Sequence, residues 1–137
     1  MKPKVALVFG EPGQGKSWLA SRMCGATVHA DETYIAFIKE KYPRLYLESL
    51  NLVVSQHYSM VLKATEKNVD REWTRYIMDV ITERLGQFRE VVVEGYLLEP
   101  ILKSLRRRLS KMAQVTTVYV KDRHYFVGMF IKDILGA

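Results

Sequence analysis

Cysteine is almost absent from this chain. Cys24 stands alone, which excludes an internal disulfide framework and fits a reducing, cytoplasmic compartment. Long hydrophobic runs are missing too: no apolar stretch approaches the length of a membrane span, and the N-terminus opens into a strand pattern without a secretion signal. Internal repeats, low-complexity tracts and linkers are lacking. The three histidines, His29, His57 and His124, have no partners at metal-ligand spacing, so none suggests a zinc site. With 137 residues there is room for one modest core and no second domain of ordinary size, so residues 1–137 read as a single domain. What is present is a balanced globular composition. Hydrophobic residues make up 48% and charged residues 26%, which excludes a disordered tail and a membrane protein. The net charge of +6 suits phosphorylated ligands or nucleic acid, but a basic balance is also common where neither is bound.

The most informative stretch is Gly10-Glu11-Pro12-Gly13-Gln14-Gly15-Lys16-Ser17, which fits G-x-x-x-x-G-K-[ST] and follows the apolar run Val5 to Phe9. Each residue type has a reason to be there. Glycines let the backbone wrap closely around phosphate oxygens, and successive N–H groups with the following helix N-terminus supply donors and positive potential. Lys16 then reaches the terminal phosphates and the Ser17 hydroxyl can ligate magnesium. The motif in this strand-to-helix context predicts nucleoside triphosphate binding.

Around it the pattern alternates strand and helix. A first helix is expected from Lys16 to Met23, stopped near Gly25, and Thr27 to Ala30 read as a second strand parallel to the first. The middle is helical. Tyr34, Phe37 and Ile38 begin an apolar stripe that Pro43 ends; Leu50, Val53, Val54, Tyr58, Val61 and Leu62 make another. Trp73, Tyr76, Ile77, Val80 and Ile81 make a third, capped by Asp70 and stopped by Gly86. These stripes read as core, with the lining of a substrate pocket as the alternative for their aromatics. Val91 to Val93 form a strand, Pro100 to Lys111 a helix with Ile101, Leu102, Leu105 and Leu109 inside, and Val115 to Val120 the next strand. Asp122 opens a last helix carrying Phe126, Met129, Phe130 and Ile134. The expected fold is α/β: a parallel sheet of about four strands flanked by helices in three α/β/α layers.

Acids stand where the strands end. Asp31 follows the second strand, and ligands of open parallel sheets gather at that edge. It is open to two readings, a group acting on the ligand or a helix N-cap. Glu94, followed by Gly95, ends the Val91 strand and could hold a magnesium-bound water opposite Ser17 or orient an attacking group, against the reading of a solvent-facing acid. Arg106, Arg107 and Arg108 are consecutive on a helix, fan around it, and read as a solvated face. Lys121 and Arg123 flank the end of the Val115 strand. Arg123 is the better candidate for neutralising a transferred phosphoryl group, with an ordinary surface residue as the alternative.

Taken in order, GEPGQGKS, HADETY, VVVEGYLL and VYVKDR resemble the nucleoside-kinase-like branch of the P-loop kinases. Uridine kinases and nicotinamide riboside kinases have a comparable strand ending in Glu-Gly. The first segment, with Pro12 in the loop and Asp31 after the first helix, is also similar to polynucleotide 5′-hydroxyl kinase domains. The resemblance implies a P-loop kinase that uses ATP and Mg2+ and transfers the terminal phosphate to a hydroxyl of a small nucleoside-like or sugar-like acceptor. The alternatives are a polynucleotide 5′-hydroxyl kinase and a nucleotide-binding or hydrolysing module that regulates a partner. It further implies that Asp31 accepts or positions the acceptor proton, that Lys16 and the Gly13, Gln14, Gly15 and Ser17 backbone hold the donor phosphates, and that Glu94 stands near magnesium. The arginine-rich lid and fifth strand of the family have no counterpart before Ala137; Met129 and Phe130 stand where the lid favours arginines.

Overall fold

The computed structural model describes residues 2–10 and 26–120. Four apolar, β-branched runs become strands: β1 (Lys4–Phe9), β2 (Ala26–His29), β3 (Glu90–Glu94) and β4 (Gln114–Tyr119). They form one sheet in the order β2-β3-β1-β4, with every neighbouring pair parallel. The second strand is parallel to the first, as its expected crossover requires, but it does not touch it. β3 lies between them, with Val28 opposite Val93 and Val93 opposite Leu7.

Alternation along the strands divides the sheet into two faces. Val5, Leu7, Val28, Val91 and Val93 point into a buried cluster with the helices. Ala6, Val8 and Val92, on the other face, are equally buried, so both sides of the sheet are covered. The architecture is a three-layer α/β/α arrangement around an all-parallel sheet, as expected for strands that must be hidden on both faces. Among the described residues no helix is long and apolar enough to cross a membrane.

The helical layer comprises α1 (Ala30–Lys41), α2 (Pro43–Glu48), α3 (Val54–Ala64) and α4 (Asn68–Leu85), then, after β3, a 3-10 segment (Tyr96–Ile101) and α5 (Leu102–Leu109). Tyr34, Phe37, Trp73, Ile77 and Ile81 are fully buried, so the first and third apolar stripes are core as read. Their rings pack against one another: Trp73 meets Tyr34 edge-on at 5.2 Å and Phe37 stacked at 5.8 Å between centroids, offset geometries that the ring quadrupoles favour. The Trp73 indole N–H donates to the Leu97 carbonyl at 3.2 Å, fastening the helices to the chain that leaves β3. The middle stripe is only partly core. Leu50 and Val53 are 59% and 62% exposed because they precede α3, where helical periodicity no longer sets their direction.

Helix boundaries also differ from the sequence reading. Ala30 opens α1 instead of ending β2, and α4 begins at Asn68, ahead of Asp70. Asp70 therefore caps nothing; its carboxylate accepts the Tyr58 hydroxyl. Pro43 does end one helix, and it starts the next at a first-turn position where its missing N–H costs nothing. Pro100 lies inside the 3-10 segment, so α5 starts at Leu102.

Tyr34 Oη and His57 Nε2 are buried without a hydrogen-bond partner among the described residues. Burial holds the His57 pKa below its ordinary 6.5. The folded protein keeps this imidazole neutral while the unfolded chain protonates it, so stability is full above about 6.5 and falls as pH drops from there toward the lowered folded value. Urea unfolding at pH 7.5 and 5.5 is expected to show this loss, and His57→Gln should shrink the difference between the two.

Candidate functional site

Parallel strands put all their carboxyl ends on one edge, where β1 contributes Gly10, β2 His29, β3 Glu94 and β4 Tyr119. The chain runs from β1 to β2, back to β3 between them, and then to β4 on the far side of β1. The end of β1 is thus a switch point, where open parallel sheets form a crevice. Gly10 sits there with φ +150°, and a Cβ on it would lie 2.6 Å from the Val120 carbonyl oxygen. The Val120 N–H donates to Phe9 O at 2.8 Å, so the glycine at position 10 is demanded by the closure of β4 on β1. Glu11, Pro12, Gly13, Gln14, Gly15, Lys16 and Ser17 lie outside the described residues, as do Lys121 and Arg123.

Asp31 is in the first turn of α1, beside Glu32, but it does not cap its own helix. Its carboxylate accepts the Leu97 N–H at 2.9 Å and the Tyr96 N–H at 3.1 Å, one on each oxygen. These are the first donors of the 3-10 segment, which have no partner inside it, and a charged acceptor makes such bonds stronger than neutral ones. The approach is possible only because residue 95 is glycine. A Cβ there would lie 2.8 Å from Ala30 Cβ and 2.9 Å from Asp31 Oδ1, at φ +157°. Asp31 is half-buried, and each carboxylate oxygen retains a second lone pair for an incoming hydroxyl.

Glu94 is buried, with its side chain 8% exposed, and its Oε1 lies 2.7 Å from Nδ1 of His29, which is 47% exposed. The pairing follows from register: His29 and Glu94 are direct partners across β2 and β3, and Glu94 is the partner of Val8 across β3 and β1. Glu94 is therefore not a solvent-facing acid. With Val8 and His29 it belongs to the sheet face opposite the helical cluster. Among the described residues no group of three or more His, Cys, Asp or Glu side chains is placed to hold a metal ion.

On the helical face of the same edge lies a cleft of about 300 Å³ lined by Tyr58, Tyr96, Glu99, Pro100 and Tyr119. Burial first, and the adjacent Asp70 second, push the Tyr58 hydroxyl well above its ordinary pKa, so it stays a neutral donor. Of the apolar stripes, Trp73 and Phe37 are core and only Tyr58 reaches this cleft. The residues missed from sequence are Tyr96, Tyr119, Glu99 and His29. A usable signal existed: Tyr96 and Tyr119 stand at the ends of strands, where a parallel sheet gathers its ligand contacts.

The arginine triplet divides. Arg106 and Arg107 share a groove of about 510 Å³ with Lys103, Leu102, Glu99 and Ser110, while Arg108 is half-buried. The groove follows α5, which connects two parallel strands and so carries its arginines away from the carboxyl edge.

The chain matches no protein-family model and no curated protein. Its fold and edge define the class: a parallel α/β protein whose carboxyl strand edge carries Gly10, Asp31 and Glu94.

Gly95→Ala is expected to destabilise the protein by about 2 kcal/mol or more, since the new methyl group must displace Ala30 or Asp31. Asp31→Ala should cost a similar amount, about 1.5–3 kcal/mol, by orphaning two N–H groups. Chemical denaturation measures both.

Proposed function

We propose that the protein is an ATP-dependent phosphotransferase that moves the terminal phosphate to a hydroxyl of a small acceptor. The observation that carries this reading is the placement of Gly10, Asp31 and Glu94 at one sheet edge, at the strand end from which the sequence GEPGQGKS departs. In this reading the backbone of Gly13, Gln14, Gly15 and Ser17 cradles the donor phosphates, and Lys16 supplies a point charge to the terminal ones. The oxygen donors at Ser17 and Glu94 suit a hard cation, and magnesium, when bound, would neutralise phosphate charge. The His29 contact orients the Glu94 carboxylate. Arg123 offsets charge that develops on the transferred group.

Asp31 receives or positions the acceptor proton as the new oxygen–phosphorus bond forms and the bond to the departing ADP oxygen breaks. It can do so while holding Tyr96 and Leu97, because those two bonds keep the carboxylate fixed. A fixed carboxylate needs no reorganisation when the hydroxyl attacks.

Incubation with magnesium, labelled ATP and a panel of nucleosides, sugars and 5′-hydroxyl oligonucleotides tests the reading directly. Label on an acceptor supports it; free phosphate alone supports a hydrolysing module. Lys16→Ala should abolish ATP binding in isothermal titration while circular dichroism stays native, and unchanged affinity would remove the basis for the proposal. Asp31→Asn should keep ATP binding and lose transfer by about a hundredfold or more. Loss of transfer only in proportion to the unfolded fraction would reduce Asp31 to a structural clamp. Replacing Arg106, Arg107 and Arg108 with serine should leave transfer nearly unchanged and insensitive to salt, because a polynucleotide acceptor alone brings the counterion-release term.

A further inference from the structure

The groove along α5, about 510 Å³ in volume, follows one side of the helix. Leu102, Lys103, Arg106, Arg107 and Ser110 line it, and steps of three and four residues set such positions one above another. Leu105 and Leu109 are fully buried, so half-buried Leu102 stands at the border between the core and the basic residues. Lys103, Arg106 and Arg107 are exposed, and none of them forms an ion pair among the described residues. We propose that this groove docks an acidic amphipathic helix of a partner protein, whose carboxylates meet Lys103, Arg106 and Arg107 and whose apolar stripe lies on Leu102 and the carbon stems of the basic side chains.

Helix stability does not account for this charge. Cations in the last turn suit the negative end of the helix dipole, which covers Arg106, Arg107 and Arg108. Lys103 is in the first turn, where the dipole disfavours a cation, and no acid stands there to offset it. The helix end is already closed, since the Arg106 carbonyl accepts the Ser110 N–H at 2.9 Å and the Ser110 hydroxyl at 2.7 Å. What the three cations have in common is the groove. Their spacing suits a helix as occupant: Arg106 and Arg107 lie three and four residues beyond Lys103, the steps at which acids on a facing helix recur. Nucleic acid fits the groove less well. No described lining residue is aromatic, so bases have nothing to stack on. Glu99 at one end repels phosphate, and three cations are few beside the roughly 6–10 phosphate contacts of a firmly bound duplex.

Glu99 lines both this groove and the tyrosine cleft, so a docked helix begins beside the carboxyl edge and runs away from it along α5. Its acids fall over Lys103, Arg106 and Arg107 because Glu99 excludes them from the near end. The inference stands whether or not the protein transfers phosphate.

Fluorescence anisotropy of the full chain with a labelled helical peptide, bearing glutamates three and four residues apart beside a stripe of leucines, tests the inference. The peptide should bind, and more weakly as salt rises. Lys103→Glu, Arg106→Glu and Arg107→Glu combined should weaken binding about tenfold or more, and a peptide with lysine at each glutamate should bind this variant and not the original protein. That exchange also shows that the variant is folded. Serine in place of the peptide's leucines should weaken binding by a similar factor. No binding of the acidic peptide up to about 1 mM, equal affinity for the original and the charge-reversed protein, or no need for the leucines would each overturn the proposal. Tighter binding of a single-stranded or duplex oligonucleotide of about twelve nucleotides would overturn it too, and assign the groove to nucleic acid.

Discussion

The Asp31 carboxylate is the point on which the carboxyl edge depends. It belongs to the helix that leaves β2, yet both of its oxygens are used by backbone N–H groups that leave β3. Those donors open a 3-10 segment and would otherwise be unpaired in a half-buried setting, where an orphaned donor costs about 1–3 kcal/mol. The clamp in turn requires Gly95, because any side chain there would occupy the space of Ala30 and Asp31. From it follow the direction of Tyr96, the burial of Leu97 and Leu98, and the carbonyl to which Trp73 is fastened. A single acid thus joins the strand ends to the aromatic core.

The edge has two chemically different sides. On one, Glu94 lies buried beneath the exposed ring of His29, a carboxylate held in place by a hydrogen bond and by its neighbours in the sheet. On the other, tyrosines from a helix, a strand exit and a strand end line a cleft together with Glu99 and Pro100. The end of β1 lies between them. In the proposed function, donor phosphates and magnesium lie toward the Glu94 side of the β1 end, where the backbone is closely constrained. Gly10 shows the constraint: it abuts Val120 with no room for a Cβ.

The helical layer serves this edge by being rigid. Tyr34, Phe37 and Trp73 interlock and exclude solvent, and a packed aromatic cluster of this kind has few alternative arrangements. The rigidity comes with polar atoms at Tyr34 and His57 that have no partner among the described residues. Tyr58 avoids that penalty because Asp70 accepts its hydroxyl proton, which also fixes the ring at the cleft. The neighbouring Tyr42 hydroxyl, pushed up to about 12 by burial and by Glu72, donates in the same way. Acids on α4 thus hold tyrosines of the surrounding elements as neutral donors.

Local pattern was sufficient for much of this architecture. The apolar runs ending at Phe9 and Glu94 are strands because side chains buried on both faces of a parallel sheet leave no alternation to read, only continuous hydrophobicity, while the half-buried strand ending at Tyr119 is marked by its valines, threonines and tyrosine. The stripes through Tyr34, Phe37, Trp73, Ile77 and Ile81 are helices buried on one side because their spacing repeats with the helical turn. The glycine at position 10 and the acids at 31 and 94 could be placed near strand ends from the chain alone, since Gly10 follows the run through Phe9, Glu94 closes the run through Val93, and Asp31 follows the short run Thr27 to Ala30. Tertiary structure decided everything that depends on strand order. Only the insertion of β3 between β1 and β2 makes His29 and Glu94 partners and brings Tyr96 and Leu97 to Asp31, across about half the chain. It also decided that Leu50 and Val53 face solvent and that Asp70 holds Tyr58 instead of capping a helix, because an apolar or acidic residue is directed by the element it belongs to and by what packs there. Periodicity reports the first of these within a few residues; contacts between residues far apart in sequence are fixed by packing, which no local pattern records.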